Sequence, residues 1–169
     1  MIDLIIRGGT IYDGTGHPAF TGDLGITDGK LTHVSKTRLP DVAKRVINAD
    51  GLMVTPGFVD MHTHYDAQAT WDPLLTPSSL HGCTTVVMGS CGVGFAPVAP
   101  DKHSWLIGLM EGVEDIPGAA MHEGIQWSWE SFPEYLNALE RKQYVMDIGT
   151  QVPHGALRAY VMGERGAKN

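Results

Sequence analysis

The chain has 169 residues, enough for one domain with its own core, and a formal net charge of −7. This charge argues against nucleic acid or an anionic membrane surface as a partner. The two cysteines, Cys83 and Cys91, are too few for a disulfide framework and indicate a reducing compartment, the cytoplasm. No basic segment precedes an apolar stretch at the N-terminus and no apolar run could cross a bilayer, so we expect neither a signal peptide nor a membrane span.

Residues 1–52 have the pattern of a small β-sandwich or a β-meander. Short apolar runs that predict strands alternate here with glycine-containing turns. The pair Asp28-Gly29 predicts a tight hairpin between two of these strands. This segment contains no cluster of catalytic side chains, and we expect His17 and His33 to be structural or exposed.

Residues 53–169 alternate between strand and helix patterns. We predict buried strands at 54–61, 84–88 and 145–150, with a short helix over 76–82, one over 105–110, and one that begins with the capping box Ser131-Phe132-Pro133-Glu134. Such an α/β alternation indicates a parallel sheet flanked by helices. An open doubly wound sheet and a (β/α)8 barrel both fit, and in either one functional groups gather at the carboxyl ends of the strands.

Two histidines follow the first of these strands, in the segment Asp60-Met61-His62-Thr63-His64. Side chains at i and i+2 of a strand lie on the same side, so His62 and His64 are expected to share one small volume and to bind a divalent metal, most plausibly zinc. Asp60 lies on the same side and would either accept a hydrogen bond from an imidazole or brace the end of the strand. Surface or core histidines with no metal are the alternative for the pair.

Cys91 follows the second predicted strand, between glycines that let the backbone turn. Its thiolate would reach the volume served by the two histidines, and zinc accepts mixed sulfur and nitrogen ligands. A small thiol that fills space under a glycine loop is the alternative, which the residues alone favour. A phosphate cradle is discounted because no G-x-G-x-x-G spacing is present. Cys83 is expected in the core.

Three segments together are similar to the N-acyl-D-amino-acid deacylases (D-aminoacylases) of the amidohydrolase superfamily. They are the runs Gly57-Phe58-Val59-Asp60-Met61-His62-Thr63-His64-Tyr65-Asp66-Ala67-Gln68, His81 to Pro97, and Leu106 to Pro117-Gly118. The resemblance implies a partial (β/α)8 metallohydrolase barrel, about its first three βα units in 53–169, preceded by a small N-terminal β-domain segment in 1–52. It also implies that His62 and His64 form the histidine pair of one zinc position, that Cys91 is the cysteine ligand, and that Asp66 is a supporting polar residue.

The activity implied by the resemblance is hydrolysis of the amide bond of N-acyl-D-amino acids to a carboxylate and a D-amino acid. The family's remaining zinc histidines and its catalytic aspartate come from later strands, and we find no counterpart for them up to Asn169. We therefore expect this chain alone to be inactive and to act as part of a longer enzyme, with the missing C-terminal part or a second copy as its partner and an N-acyl amino acid as its substrate.

Two other functional interpretations stay open, and the positions of the remaining histidines can also be predicted. A hydantoinase or dihydroorotase type would act on a cyclic or linear amide; those relatives bridge two metals with a modified lysine, and Cys91 argues against them. A non-catalytic metal-binding protein is the other alternative. His154 follows the third strand and would line the pocket, whereas His103 and His122 are expected to be exposed.

Overall fold

The structure is a computed structural model that describes residues 1–167. The chain divides into two compact units, Met1–Pro56 and Gly57–Asn169. The division falls after Pro56, whereas the sequence pattern places it after residue 52. No helix in the described part of the chain combines the length and the apolar character needed to cross a membrane.

The first unit is a five-stranded mixed sheet. Its strands are β1 (Ile2–Ile11), β2 (Phe20–Thr27), β3 (Lys30–Ser35), β4 (Ala43–Asn48) and β5 (Met53–Val54). The hairpin predicted from Asp28-Gly29 is confirmed: β2 and β3 are antiparallel, and both turn residues have positive φ angles of 50° and 71°. The predicted meander is confirmed for β1, β2 and β3, which are antiparallel neighbours, and is wrong for β4 and β5, which both pair with β1 in parallel. The sandwich needs a second layer and stays a prediction.

The second unit is a three-stranded parallel sheet with helices packed on it. The strands are β6 (Phe58–Asp60), β7 (Cys83–Met88) and β8 (Asp147–Thr150), in the order β6-β7-β8. The helices are α1 (His103–Glu111), α2 (Gly118–Gly124), α3 (Phe132–Glu140) and α4 (His154–Met162). The parallel sheet is confirmed, and so is the capping box that begins α3. A closed barrel stays a prediction.

The strand predicted over 54–61 is wrong as a single buried element. β5 ends at Val54 and pairs with β1, and β6 begins only at Phe58. Pro56 has no backbone N–H to donate, so it interrupts a strand at this point. β6 is then an edge strand with a neighbour on one side, and the side chains of Phe58 and Val59 are 63% and 57% exposed.

The core of the second unit lies between the sheet and the helices. Val86 and Met88 of β7 are fully buried there, and α1 and α3 contribute Leu106 and Tyr135. The Tyr135 hydroxyl donates to the backbone oxygen of Asp66 at 2.8 Å. This bond anchors the loop that follows the two candidate histidines to α3.

Candidate metal centre

The backbone of the His-x-His segment is fixed by the residue between the two histidines. Thr63 is buried and donates two hydrogen bonds to the carbonyl oxygen of Val87 in β7, one from its N–H and one from its hydroxyl, each 2.9 Å long. His62 and His64 lie just beyond the end of β6, on either side of this anchored residue. Their rings stack with centroids 5.7 Å apart.

Cys91 lies directly after the neighbouring strand, in the 3-10 turn Ser90–Gly92. Its backbone has φ 56°, a left-handed conformation that is unusual for a residue with a side chain. The turn is held against the start of α4, where a Cβ added to Gly155 would lie 2.5 Å from the Gly92 carbonyl oxygen. The Cys91 thiol is exposed, and its Sγ lies 3.2 Å from Nε2 of His62.

The structure therefore brings the three predicted ligands together at the carboxyl ends of β6 and β7. One ligand atom each from His62, His64 and Cys91 lies within 4.8 Å of the others. Two imidazole nitrogens and one thiolate suit zinc, which binds both donor types and in catalytic sites keeps a coordination position free. The donors present thus fit the metal that the sequence predicts, and metal binding itself stays a prediction.

Glu114 completes the surroundings of His64, and the sequence reasoning did not identify it. Its Oε1 lies 2.7 Å from Nδ1 of His64, and its side chain is only 8% exposed. It lies in the loop between α1 and α2, fifty residues along the chain from His64. The sequence signal was weak: an acidic pair follows α1, and no spacing rule connects it with the histidines.

Asp66 is a buried link between the loops that carry the candidate ligands. Its side chain is 1% exposed, and Oδ2 accepts a hydrogen bond of 3.0 Å from the backbone N–H of Gly89, just before the Cys91 turn. Burial raises the pKa of Asp66 to about 7; the Gly89 N–H and His64 oppose this shift and Glu114 adds to it. Asp66 therefore ties the loop after β6 to the loop after β7.

Asp60 contacts the backbone of the histidine segment. Its Oδ1 accepts a hydrogen bond of 3.1 Å from the N–H of His62. Of the two roles that the sequence left open, the contact matches the bracing of the strand end.

The other histidines lie outside the group. His103 is half-buried, so the expectation that it is exposed is wrong: its ring stacks on Trp127 with centroids 4.1 Å apart, and burial lowers its pKa while Asp101 opposes this. His122 is exposed, as predicted. His154 is exposed at the start of α4, and Cys83 packs half-buried at the edge of the core.

A cleft of about 470 Å³ opens beside His64. Its walls come from the loop after β6 and from the loop between α1 and α2, and its lining includes Tyr65, Gln68, Glu114 and Ile116. Polar groups from both loops thus line one open cleft, and His64, a candidate metal ligand, lies in its wall. A substrate of small-molecule size fits such a space.

Proteins of known sequence and structure resemble this chain along almost its whole length. The chain is 34% identical to the D-aminoacylase of Alcaligenes xylosoxydans xylosoxydans over 161 residues, which are 95% of this chain and 31% of that protein. A solved D-aminoacylase structure matches with a TM-score of 0.78 and 32% identity, over 97% of this chain and 32% of that one. The N-acyl-D-glutamate deacylase of Bordetella bronchiseptica, solved with zinc and a phosphonate inhibitor, matches with a TM-score of 0.75 and 31% identity, over 96% of this chain and 32% of that one.

The chain thus spans about a third of the length of these relatives. The model of the amidohydrolase family matches residues 45–169, a range that includes all three candidate ligands. Together with the similarity to D-aminoacylases, this match shows that the chain belongs to the amidohydrolase family.

Proposed function

We propose that this chain provides part of the metal centre of a zinc-dependent N-acyl-D-amino-acid deacylase. The reaction is hydrolysis of the amide to a carboxylate and a free D-amino acid, carried out by a longer enzyme of which this chain forms one part. The observation that carries the proposal is the group of His62, His64 and Cys91, with ligand atoms within 4.8 Å of one another, in a chain similar to D-aminoacylases.

The described residues have separate tasks in this proposal. His62, His64 and Cys91 hold the metal, which when bound supplies polarisation of the scissile carbonyl and activation of water. Asp66 keeps the loop of Cys91 close to the loop of the histidines, and the cleft beside His64 receives the N-acyl amino acid. We place the general base and the remaining metal ligands in a further part of the enzyme, which is either continuous with this chain or a separate partner.

Two further parts of the proposal concern the surroundings of the protein. Both cysteines are free thiols, which fits a reducing cytoplasm. The formal charge of −7 fits a small-molecule substrate better than nucleic acid or a membrane surface.

Zinc binding by the purified chain tests the metal centre. We expect about one zinc per chain, and Cys91→Ala should weaken zinc binding by more than about 100-fold, because a coordinating thiolate is removed. Cys83→Ala is the matched control, since it removes the other thiol and leaves the ligand group intact. Equal zinc binding by wild type and Cys91→Ala would contradict the proposed ligand set.

Activity is tested by supplying the missing part. The chain alone should not hydrolyse N-acetyl-D-methionine, whereas a mixture with a polypeptide covering the remaining two thirds of a D-aminoacylase should hydrolyse it and leave the L-enantiomer intact. Turnover of hydantoins or dihydroorotate in its place would indicate the cyclic-amide relatives. Zinc binding without turnover of any of these amides would indicate a non-catalytic metal-binding protein.

A further inference from the structure

We propose that Glu114 is a positioning residue that holds the imidazole of His64 with its proton on Nδ1, so that Nε2 faces the metal. This inference rests on the proposed metal centre and adds a residue to it. The carboxylate of Glu114 is 8% exposed, and its Oε1 lies 2.7 Å from Nδ1 of His64. A buried carboxylate needs hydrogen-bond donors, and the His64 N–H supplies one.

The contact selects one form of the ring. A neutral imidazole carries one N–H and one nitrogen with a free lone pair, and only the second of these can bind a metal. When Nδ1 donates to Glu114, the lone pair is on Nε2. The carboxylate also fixes the plane of the ring and makes the nitrogen that binds the metal more basic, as hydrogen-bonding partners of metal-bound histidines do in general.

The two histidines of the pair are held by different contacts. Nε2 of His62 already lies 3.2 Å from the sulfur of Cys91, and the carboxylate of Asp60 contacts the His62 backbone. His64 is thus the member of the pair whose ring is oriented by a buried carboxylate.

The loop that carries Glu114 is fixed at both ends, so the carboxylate occupies a defined place. At the end of α1, the N–H of Glu114 donates to the carbonyl oxygen of Met110 at 2.8 Å. At the start of α2, the N–H of Gly118 donates to Oε1 of Glu111 at 2.7 Å. A side chain on a loop anchored in this way loses little entropy when it orients a ligand.

Two substitutions in this loop test the inference. Glu114→Ala removes the acceptor and should weaken zinc binding by about 10- to 100-fold, the usual effect of losing a partner of a metal-bound histidine. Glu114→Gln keeps the shape and removes the charge, so we expect a smaller loss of about 10-fold or less. Asp115→Asn is the matched control: it removes one negative charge from the neighbouring, exposed position and should leave zinc binding within about twofold of wild type.

The second measurement needs no metal. Nitrogen-15 NMR of the metal-free chain reports which ring nitrogen of His64 carries the proton. We expect the Nδ1–H form in wild type and in Asp115→Asn, and a shift toward the Nε2–H form in Glu114→Ala. Circular dichroism of each variant checks that the fold is kept, and Glu114→Gln carries the test if Glu114→Ala does not fold.

The outcomes separate this inference from the proposed function. If wild type binds zinc and both Glu114 variants bind it equally well, Glu114 is a structural contact only, and the metal centre stands. If Asp115→Asn loses as much affinity as Glu114→Gln, the effect is one of overall charge and the positioning role is refuted. If wild type binds no zinc but Glu114→Ala shifts the His64 proton, Glu114 does set the ring form and the proposed metal centre is wrong.

Discussion

At the scale of single residues, Cys91 combines a candidate ligand with an unfavourable backbone conformation. Its φ of 56° lies in the left-handed region, which costs a residue with a Cβ about 1–2 kcal/mol. Strain of this kind is commonly kept at functional sites, where the surrounding structure holds it in place. Here Gly89 and Gly92, both also with positive φ, bend the chain so that the thiol reaches His62.

Replacing Cys91 by glycine should therefore separate strain from metal binding. In the metal-free chain, Cys91→Gly should be about 1 kcal/mol more stable than Cys91→Ala, because glycine adopts positive φ without a steric penalty. Both variants should bind zinc more than about 100-fold more weakly than wild type. Urea unfolding of both variants measures the difference, with Cys83→Gly and Cys83→Ala as controls. Cys83 lies in a strand, so Cys83→Gly should be less stable than Cys83→Ala by about 0.5–1 kcal/mol. If the glycine variant is the less stable one at position 91 as well, the strain argument is wrong.

At the scale of elements, the position of the thiol depends on how the turn after β7 packs against α4. Gly92 and Gly155 approach each other so closely that a Cβ on Gly155 would lie 2.5 Å from a backbone oxygen, which cannot move without moving the turn. Gly108 in α1 is the opposite case, because a Cβ there would meet nothing within 4 Å.

Alanine substitutions at these two glycines should have opposite effects. Gly155→Ala should cost about 1–3 kcal/mol through overpacking and should also weaken zinc binding, since it displaces the turn that carries Cys91. Gly108→Ala should stabilise the chain by up to about 1 kcal/mol, because alanine favours the helix, and should leave zinc binding unchanged. Thermal unfolding and zinc titration check both. A stable Gly155→Ala variant with normal zinc binding would show that the close approach does not position the thiol.

At the scale of the whole molecule, the second unit exposes apolar side chains around its parallel sheet. Parallel sheets are ordinarily covered on both faces, yet in the described part of this unit nine large apolar residues are more than half exposed, among them Phe58 and Val59 of β6 and Met61 just after it. Exposed apolar surface beside an edge strand favours association with another polypeptide. Under the proposed function, this surface would pack against the remaining part of the longer enzyme.

We expect the isolated chain to self-associate through this surface. Val59→Lys should weaken the association by about tenfold or more, which corresponds to the loss of one buried valine side chain. Val42→Lys, at a comparably exposed position in the first unit, is the control and should have little effect. Sedimentation velocity measures both. Adding the complementing polypeptide should replace self-association by a mixed complex, and a monomeric wild-type chain would contradict this prediction.

The local sequence pattern was sufficient for most elements of the second unit and for the histidine pair, whereas Cys91 was assigned as a ligand through the family resemblance. His62 and His64 could be placed on one side of a strand end because alternation is a property of the extended backbone. Cys91 follows the next strand, and neighbouring parallel strands end at the same edge of the sheet, so the resemblance to a known family and the strand order agree on its place. The hairpin at Asp28-Gly29 and the helix start at Ser131 could likewise be predicted from a few neighbouring residues.

Only the tertiary structure decided which residues surround those ligands. Glu114 reaches His64 across fifty residues, and His103 stacks on Trp127, because separate loops and helices fold onto the same part of the molecule. The exposure of Phe58 and Val59 likewise depends on which elements lie beside β6 and not on how apolar these side chains are. The sequence by itself was enough to predict the histidine pair, through short-range backbone geometry, and to predict Cys91, through the family resemblance. The fold determined the orientation and burial of these side chains, because both depend on contacts between segments distant in the chain.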